Sequence, residues 1–237
     1  MVDARRYSRQ GGVASVRRRG AAFLVLLLVA ANARMAQSAP LFASPFRSFD
    51  TGGLLLSAAA GDLNGDGLAD VVTGFGDSIA VLLGESDAAF GPPSYFITGA
   101  QPAFLALGDL NGDGALDVVA PSRGEYPDYA RDVSVLLGNG DGTFRPKQSY
   151  ETRLEPADVG IADLNGDGKL DVVIASHEYS VSTVSVFLGN GDGTLAARQD
   201  FATRRAPEGV CIGDLNADGP PAWISTDRNR LTVVRGG

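Results

Sequence analysis

An all-β fold, a β-propeller built of four-stranded antiparallel blades, is predicted for this chain by three observations. The acidic stretch GDLNGDGLADVV from Gly61 recurs as GDLNGDGALDVV from Gly108 and as ADLNGDGKLDVV from Ala162, and a frayed copy, GDLNADGPPAWI, starts at Gly213. The leading aspartates Asp62, Asp109, Asp163 and Asp214 stand 47, 54 and 51 residues apart. Around each copy, apolar residues alternate in the period of a strand, and no helical pattern competes outside the first 40 residues. A unit of about 50 residues that carries four short strands is the signature of a propeller blade.

Each unit reads in the same order. An aromatic lies thirteen residues before the leading aspartate: Phe49, Phe96, Tyr150 and Phe201. The apolar pairs Ala58/Ala60, Leu105/Leu107, Val159/Ile161 and Val210/Ile212 then define a first strand. The residue between each pair is small: Ala59, Ala106, Gly160 and Cys211. Cys211 is therefore expected in a tight core slot. A second strand follows the acidic stretch (VVTG, VVAP, VVIA, AWIS), and a third follows that (AVLLG, VSVLLG, VSVFLG, LTVVRG). GESDAAF, GNGDGTF and GNGDGTL then mark hairpin turns, since Asn-Gly and Asp-Gly between apolar runs supply the backbone that tight turns require. A fourth strand leads to the next aromatic.

The phase of the repeat leaves two readings open. The segment at Phe49 sits where a fourth strand belongs, and the chain stops on a third strand. The N-terminal segment can thus complete the last blade and close a ring of four, or the four units are part of a larger propeller.

Charge separates the chain into two parts. Residues 1–40 hold seven of the 20 basic residues and one of the 28 acids, so residues 41–237 carry 13 basic and 27 acidic residues, net −14. That balance disfavours nucleic acid as a partner and suits a protein that takes up cations. The arginines up to Arg19, the apolar run AAFLVLLLVAA and the small residues after it read as an export signal over residues 1–38, with cleavage after Ala33 or Ser38. Eleven apolar residues rise only about 16 Å as a helix, short of the roughly 30 Å of a bilayer core. No stable transmembrane segment is therefore expected once the signal is cleaved. The expected domains are residues 1–38, the signal, and residues 39–237, the propeller repeats. The expected location is secreted, periplasmic or at the cell surface. With one cysteine, the chain forms no internal disulfide.

The acidic stretches place oxygen donors at alternate positions. In the first, Asp62, Asn64 and Asp66 supply side-chain oxygens, Leu68 a backbone carbonyl and Asp70 a carboxylate. The second offers Asp109, Asn111, Asp113, the Ala115 carbonyl and Asp117. The third offers Asp163, Asn165, Asp167, the Lys169 carbonyl and Asp171. Gly65 and Gly67 permit the positive φ that wraps a short loop around a point. A set made wholly of oxygens with several carboxylates fits Ca²⁺ better than the stricter octahedron of Mg²⁺. An EF-hand needs Glu at position twelve, where this chain has Thr73, Ala120 and Ile174. The fourth copy keeps Asp214, Asn216 and Asp218 but has Ala222 at position nine, so about three calcium sites are expected and the fourth is degenerate.

These units resemble the FG-GAP/VCBS-type repeats of integrin α-chain propellers and of many secreted bacterial proteins. The resemblance rests on DLNGDGLAD, DLNGDGALD, DLNGDGKLD and VLLGNGDGTF, and spans roughly residues 41–237. It implies that the acidic loop joins the first two strands of a blade and binds calcium. It also implies seven blades, more than this chain holds, and a role in adhesion.

A meander alternates its loops between two ends, so the acidic loops and the GNGDGT hairpins should share one face. The opposite face carries an insert, PSRGEYPDYARD, in which Arg123, Tyr126, Tyr129 and Arg131 mix aromatic and cationic groups of the kind found at binding hot spots. His177, Glu178, Tyr179, Arg204 and Arg205 belong to the same face. The expected partner is an extracellular or envelope protein or glycan. The chain's single histidine, His177, stands in no catalytic motif. The leading expectation is therefore a non-catalytic binding module, and the alternative is a carbohydrate-active or hydrolytic enzyme, or its accessory domain, using the face opposite the calcium loops.

Overall fold

Three four-stranded antiparallel sheets and one three-stranded sheet follow one another along the chain in a computed structural model. The structure describes residues 48–49, 55–86, 89–99, 101–123, 131–152, 156–176, 182–203, 207–215, 221–227 and 230–235. The expected export segment 1–38 lies outside them, as do Tyr126, Tyr129, His177–Tyr179, Arg204, Arg205, Asn216 and Asp218. The chain divides into Met1–Ser48 and Phe49–Gly237, and all of the sheets belong to the second unit. Among the described residues, no helix is long and apolar enough to cross a membrane.

The first blade consists of β1 (Leu55–Gly61), β2 (Asp70–Phe75), β3 (Ser78–Leu82) and, after the small hairpin β4 (Gly84–Glu85) and β5 (Ala89–Phe90), the outer strand β6 (Ser94–Ile97). The second runs β7 (Ala106–Gly108), β8 (Asp117–Pro121), β9 (Asp132–Leu136) and β10 (Gln148–Glu151). The third runs β11 (Pro156–Ala162), β12 (Asp171–Ser176), β13 (Ser182–Phe187) and β14 (Gln199–Thr203). The last sheet holds β15 (Gly209–Gly213), β16 (Ala222–Asp227) and β17 (Arg230–Arg235). In the second and third blades the hairpin narrows to single bridges, Gly138 to Phe144 and Gly189 to Leu195. Each strand lies where the alternation predicts it.

The core lies between blades. Val72, Ile79 and Val81 of the first blade pack against Val118, Ala120 and Leu136 of the second. Val119, Val133 and Val135 pack against Val159, Val172, Ile174 and Phe187 of the third. Val173, Val184 and Val186 pack against Trp223 of the fourth. First-strand residues interlock across each joint. A Cβ added at Gly61 would stand 3.1 Å from Leu107 Cδ1, one at Gly108 3.2 Å from Ile161 Cγ2, and one at Gly160 2.8 Å from Ile212 Cδ1. The large residue of each apolar pair therefore points back at the preceding blade, and the small residues receive the blade that follows.

This arrangement corrects the reading of Cys211, which is exposed. It occupies a receiving position on the last described sheet, and among the described residues no blade stands over it. The described sheets do not close into a ring: among the described residues β17 pairs only with β16, and most of the N-terminal segment expected to complete the last blade lies outside them. Phe49 instead packs edge-on against Phe90 of the first blade, with ring centroids 5.0 Å apart.

Candidate metal-binding loops

Three loops of one design join the first two strands of the first three blades. The leading aspartate folds each loop around itself. Asp62 Oδ1 accepts from the Gly65 and Asp66 amides at 2.8 and 3.2 Å, and Oδ2 accepts from Gly67 N at 2.8 Å. Asp109 does the same with Gly112, Asp113 and Gly114 at 2.7, 3.1 and 2.9 Å. Asp163 repeats it with Gly166, Asp167 and Gly168 at 2.7, 3.2 and 2.8 Å. Gly65 and Gly67 take φ of 75° and 82°, the left-handed backbone expected of them.

The inner positions are also alike. Asn64, Asn111 and Asn165 each accept the amide of the aspartate two residues on, and each donates from Nδ2 to that residue's Oδ2. The amides of Leu68, Ala115 and Lys169 donate to Oδ1 of Asp66, Asp113 and Asp167.

Position nine carries a second task that the sequence does not announce. Asp70, Asp117 and Asp171 are fully buried. Their Oδ2 atoms accept from Leu63, Leu110 and Leu164 at 2.7, 2.8 and 2.9 Å, and their Oδ1 atoms from Gly84, Gly138 and Gly189 at 2.7, 2.8 and 2.8 Å. One carboxylate thus ties the loop to the exit of the third strand. Glycine is required at that exit, because a Cβ at Gly84, Gly138 or Gly189 would stand 2.5, 2.4 or 2.1 Å from a carbonyl oxygen of Ala69, Leu116 or Leu170. The signal was in the sequence as the glycine that opens GESDAAF and both GNGDGT runs.

The electrostatics are those of crowded acids. Burial pushes the Asp117 carboxyl above its usual range, the amides of Gly138 and Leu110 pull it back, and Asp113 and Asp109 push it up again. Asp171 is raised in the same way, with Asp167 and Asp163 adding to burial. Asp62 and Asp163 are lowered, chiefly by the Gly67 and Gly168 amides. Among the described residues, no three His, Cys, Asp or Glu side chains stand close enough together to hold an ion. Several of the carboxylate oxygens are turned toward the loops' own amides. A carboxylate oxygen that accepts one amide retains a lone pair, and the three carboxylates and one amide oxygen of each loop have the hard-donor chemistry that calcium takes.

The hairpins share this face, as expected. Gly142 N donates to Leu63 O of the first loop at 3.1 Å. Arg145 Nη2 lies 3.5 Å from Asp113 Oδ2. A groove of about 600 Å³ runs between the first two loops, lined by Asp62, Asp113, Ala115, Asn139 and Arg145 among others. On the opposite face, Arg123 and Arg131 are exposed at the two described ends of the insert; Tyr126 and Tyr129 lie outside the described residues. In the fourth blade, Asp214 is described at the end of β15, and Ala222, buried at position nine, pairs with Gly213 as Asp171 pairs with Ala162.

No curated protein matches the chain. Among solved structures, it is similar to a lectin of Agrocybe aegerita, described for specific recognition of non-reducing terminal N-acetylglucosamine: 23% identity over 76% of this chain and 49% of the lectin chain, TM-score 0.54. It is also similar to a chain of the Photorhabdus luminescens Tc holotoxin pore, with 20% identity over 74% of this chain and 9% of that one, TM-score 0.48. The chain thus spans about half the length of the lectin. The likeness to the lectin is one of fold and agrees with successive propeller blades. FG-GAP-like repeats match at residues 62–120, 126–174 and 163–221, which together cover well over half of the chain and contain all three complete acidic loops. The chain belongs to the FG-GAP-like repeat family.

Proposed function

We propose that this protein is an exported, calcium-binding propeller module without catalytic activity that binds a protein or glycan at the cell surface or outside the cell. The observation that carries the calcium reading is the threefold recurrence of one loop geometry in which three aspartates and an asparagine share a single short turn; in the second and third loops burial, with the neighbouring aspartates adding to it, raises the Asp117 and Asp171 carboxyls. A divalent cation relieves that repulsion. Asp62, Asn64, Asp66, the Leu68 carbonyl and Asp70 would hold it in the first loop, and the matching residues would do so in the other two. Calcium there supplies charge neutralisation and cross-links the loop. The residues themselves fix the loop's shape through their amide bonds.

The binding reading is supported by the architecture and by the exposed arginines at the ends of the 121–132 insert. Propellers host many functions, so the ligand class must come from the site. The lectin likeness makes a terminal sugar one ligand to try. Arg123, Tyr126, Tyr129 and Arg131 form the proposed contact patch.

Calorimetric titration of the chelated chain tests the metal reading: about three calcium ions should bind, and a count of zero overturns it. A glycan array probed with the parent chain and with the double variant Tyr126→Ala/Tyr129→Ala tests the ligand face. Binding lost in that variant supports the patch. Binding kept there but lost with Asn139→Ala places the ligand in the groove on the loop face instead.

A further inference from the structure

The last blade exposes a surface that every other blade buries. In the first three blades, one residue of each inner strand forms a row: Ala59–Val72–Val81, Ala106–Val119–Val135 and Gly160–Val173–Val186. The valines of these rows are at most 5% exposed, because the following blade lies over them. The fourth row is Cys211–Ile224–Val233. Cys211 is exposed, Ile224 is half-buried and Val233 is 41% exposed. A Cβ added at Gly213 would meet nothing within 4 Å, although Gly61 and Gly108, the matching glycines, lie against side chains of the next blade.

The other end of the stack carries the counterpart. Leu56, Ala58 and Ala60 of β1 are exposed. Their successors Leu105/Leu107, Val159/Ile161 and Val210/Ile212 point back into the preceding blade. The sizes match as well. Across the joint between the third and fourth blades, Gly160 receives Ile212. Beyond the fourth blade the receiving residue is the larger Cys211, and the position equivalent to Ile212 is filled in the first blade by the smaller Ala60.

Phe49 supplies an independent sign. Phe96, on the outer strand of the first blade, packs edge-on against Phe144 in the hairpin of the second, at 5.1 Å. Tyr150, on the outer strand of the second blade, accepts Leu195 N from the hairpin of the third at 3.1 Å. Phe49 against Phe90 repeats this contact. It therefore stands, relative to the first blade, where the outer strand of a preceding blade belongs. Among the described residues, the fourth blade has an inner face without a cover and an outer edge, β17, without a partner strand.

We propose that a second copy of this chain docks its first blade onto the open face of the fourth blade, with its Phe49 segment against β17, so that the propeller continues from one molecule into the next. The contact is head-to-tail. Such interfaces close into a ring where the rotation permits and grow into longer species where it does not. Three apolar rows within the chain already show the geometry of the joint.

Light scattering on the size-fractionated full chain, over a range of micromolar concentrations, tests this. Association should rise with concentration. Val233→Asp, which places a charge in the receiving face, and Ala60→Asp, which places one in the inserting face, should each yield monomer with the parent melting temperature. Mixing the two variants should restore a heterodimer, because each retains one sound face. Phe49→Ala should weaken association even if either aspartate variant folds poorly. Cys211 reports without mutation: its reaction with a thiol reagent should slow about tenfold on association, since thiol reactivity follows exposure. A parent chain that stays monomeric, with Cys211 equally reactive at all concentrations, overturns the proposal. So does association that Ala60→Asp leaves intact.

Discussion

The third and fourth blades share a strand plan and differ at position nine. In the third, Asp171 is buried, accepts Leu164 N and Gly189 N, and joins the acidic loop to the end of the third strand. In the fourth, Ala222 stands at the same place, buried and with no side-chain acceptor to offer. The difference teaches that the last aspartate of DLNGDGKLD is a structural clamp as well as a candidate ligand.

The clamp predicts the largest effect. Asp171→Ala leaves two buried amides without acceptors, each costing about 1–3 kcal/mol, so unfolding in urea should show a loss of ~3 kcal/mol. Gly189→Ala attacks the same junction from the other side, where the added Cβ would press on Leu170 O, and should cost ~2 kcal/mol. Asp218→Ala, in the loop that already lacks the clamp, should stay within about 0.5 kcal/mol. An equal cost for Asp171→Ala and Asp218→Ala would erase the distinction between the blades.

Metal removal comes next. Ligand bound to the folded state alone stabilises it by about 2.7 kcal/mol per site at a hundredfold excess over Kd. Chelation should therefore lower the melting temperature, millimolar calcium should restore it, and Asp171→Ala should remove one ion from the count. Coincident melting curves with and without chelator would detach the clamp from the metal.

A smaller effect separates the loops from one another. Arg145 lies beside Asp113 in the second loop only. The pair is partly exposed, and such pairs contribute little to stability. As a cation at the rim, however, Arg145 would compete with a metal bound in that loop. Arg145→Ala should tighten one calcium site by less than about tenfold and leave the other two unchanged, as read by titration.

Most of the blade plan was legible because strand period and turn chemistry are local. Gly65 and Gly67 were read as positive-φ residues from their place in a short acidic loop, and they adopt it. The partners of Asp70, Asp117 and Asp171 were not legible. Gly84, Gly138 and Gly189 lie 14 to 21 residues downstream and are brought in by the sheet. Cys211 was misread for a related reason. A small residue between two apolar ones marks a strand face that receives a neighbour, but whether the neighbour is present is a property of the whole stack. Closure of the ring was undecided in the sequence for the same cause: the register of a strand is local, and the angle between blades is not.

The smallest predicted effect concerns the hairpins. Asp141 Oδ1 accepts from Thr143 N and Thr143 Oγ1 at 2.9 and 2.5 Å, and Asp192 does the same with Thr194. These bonds hold both carboxyls below their usual range, the threonine hydroxyl acting first and its amide second. Both turns are exposed, so water competes for every partner. For a carboxyl lowered on folding, the stabilisation is present above its ordinary value and lost as pH falls through the folded one. Asp192→Asn should therefore lower the melting temperature by only ~2 °C at neutral pH, and the gap between variant and parent should close as the solution is acidified below the carboxylate range. The same substitution should leave the calcium count unchanged, because the hairpin contributes no ligand. A loss of one ion on Asp192→Asn would instead draw the hairpin into the metal site, and the contrast between clamp and turn would have to be redrawn.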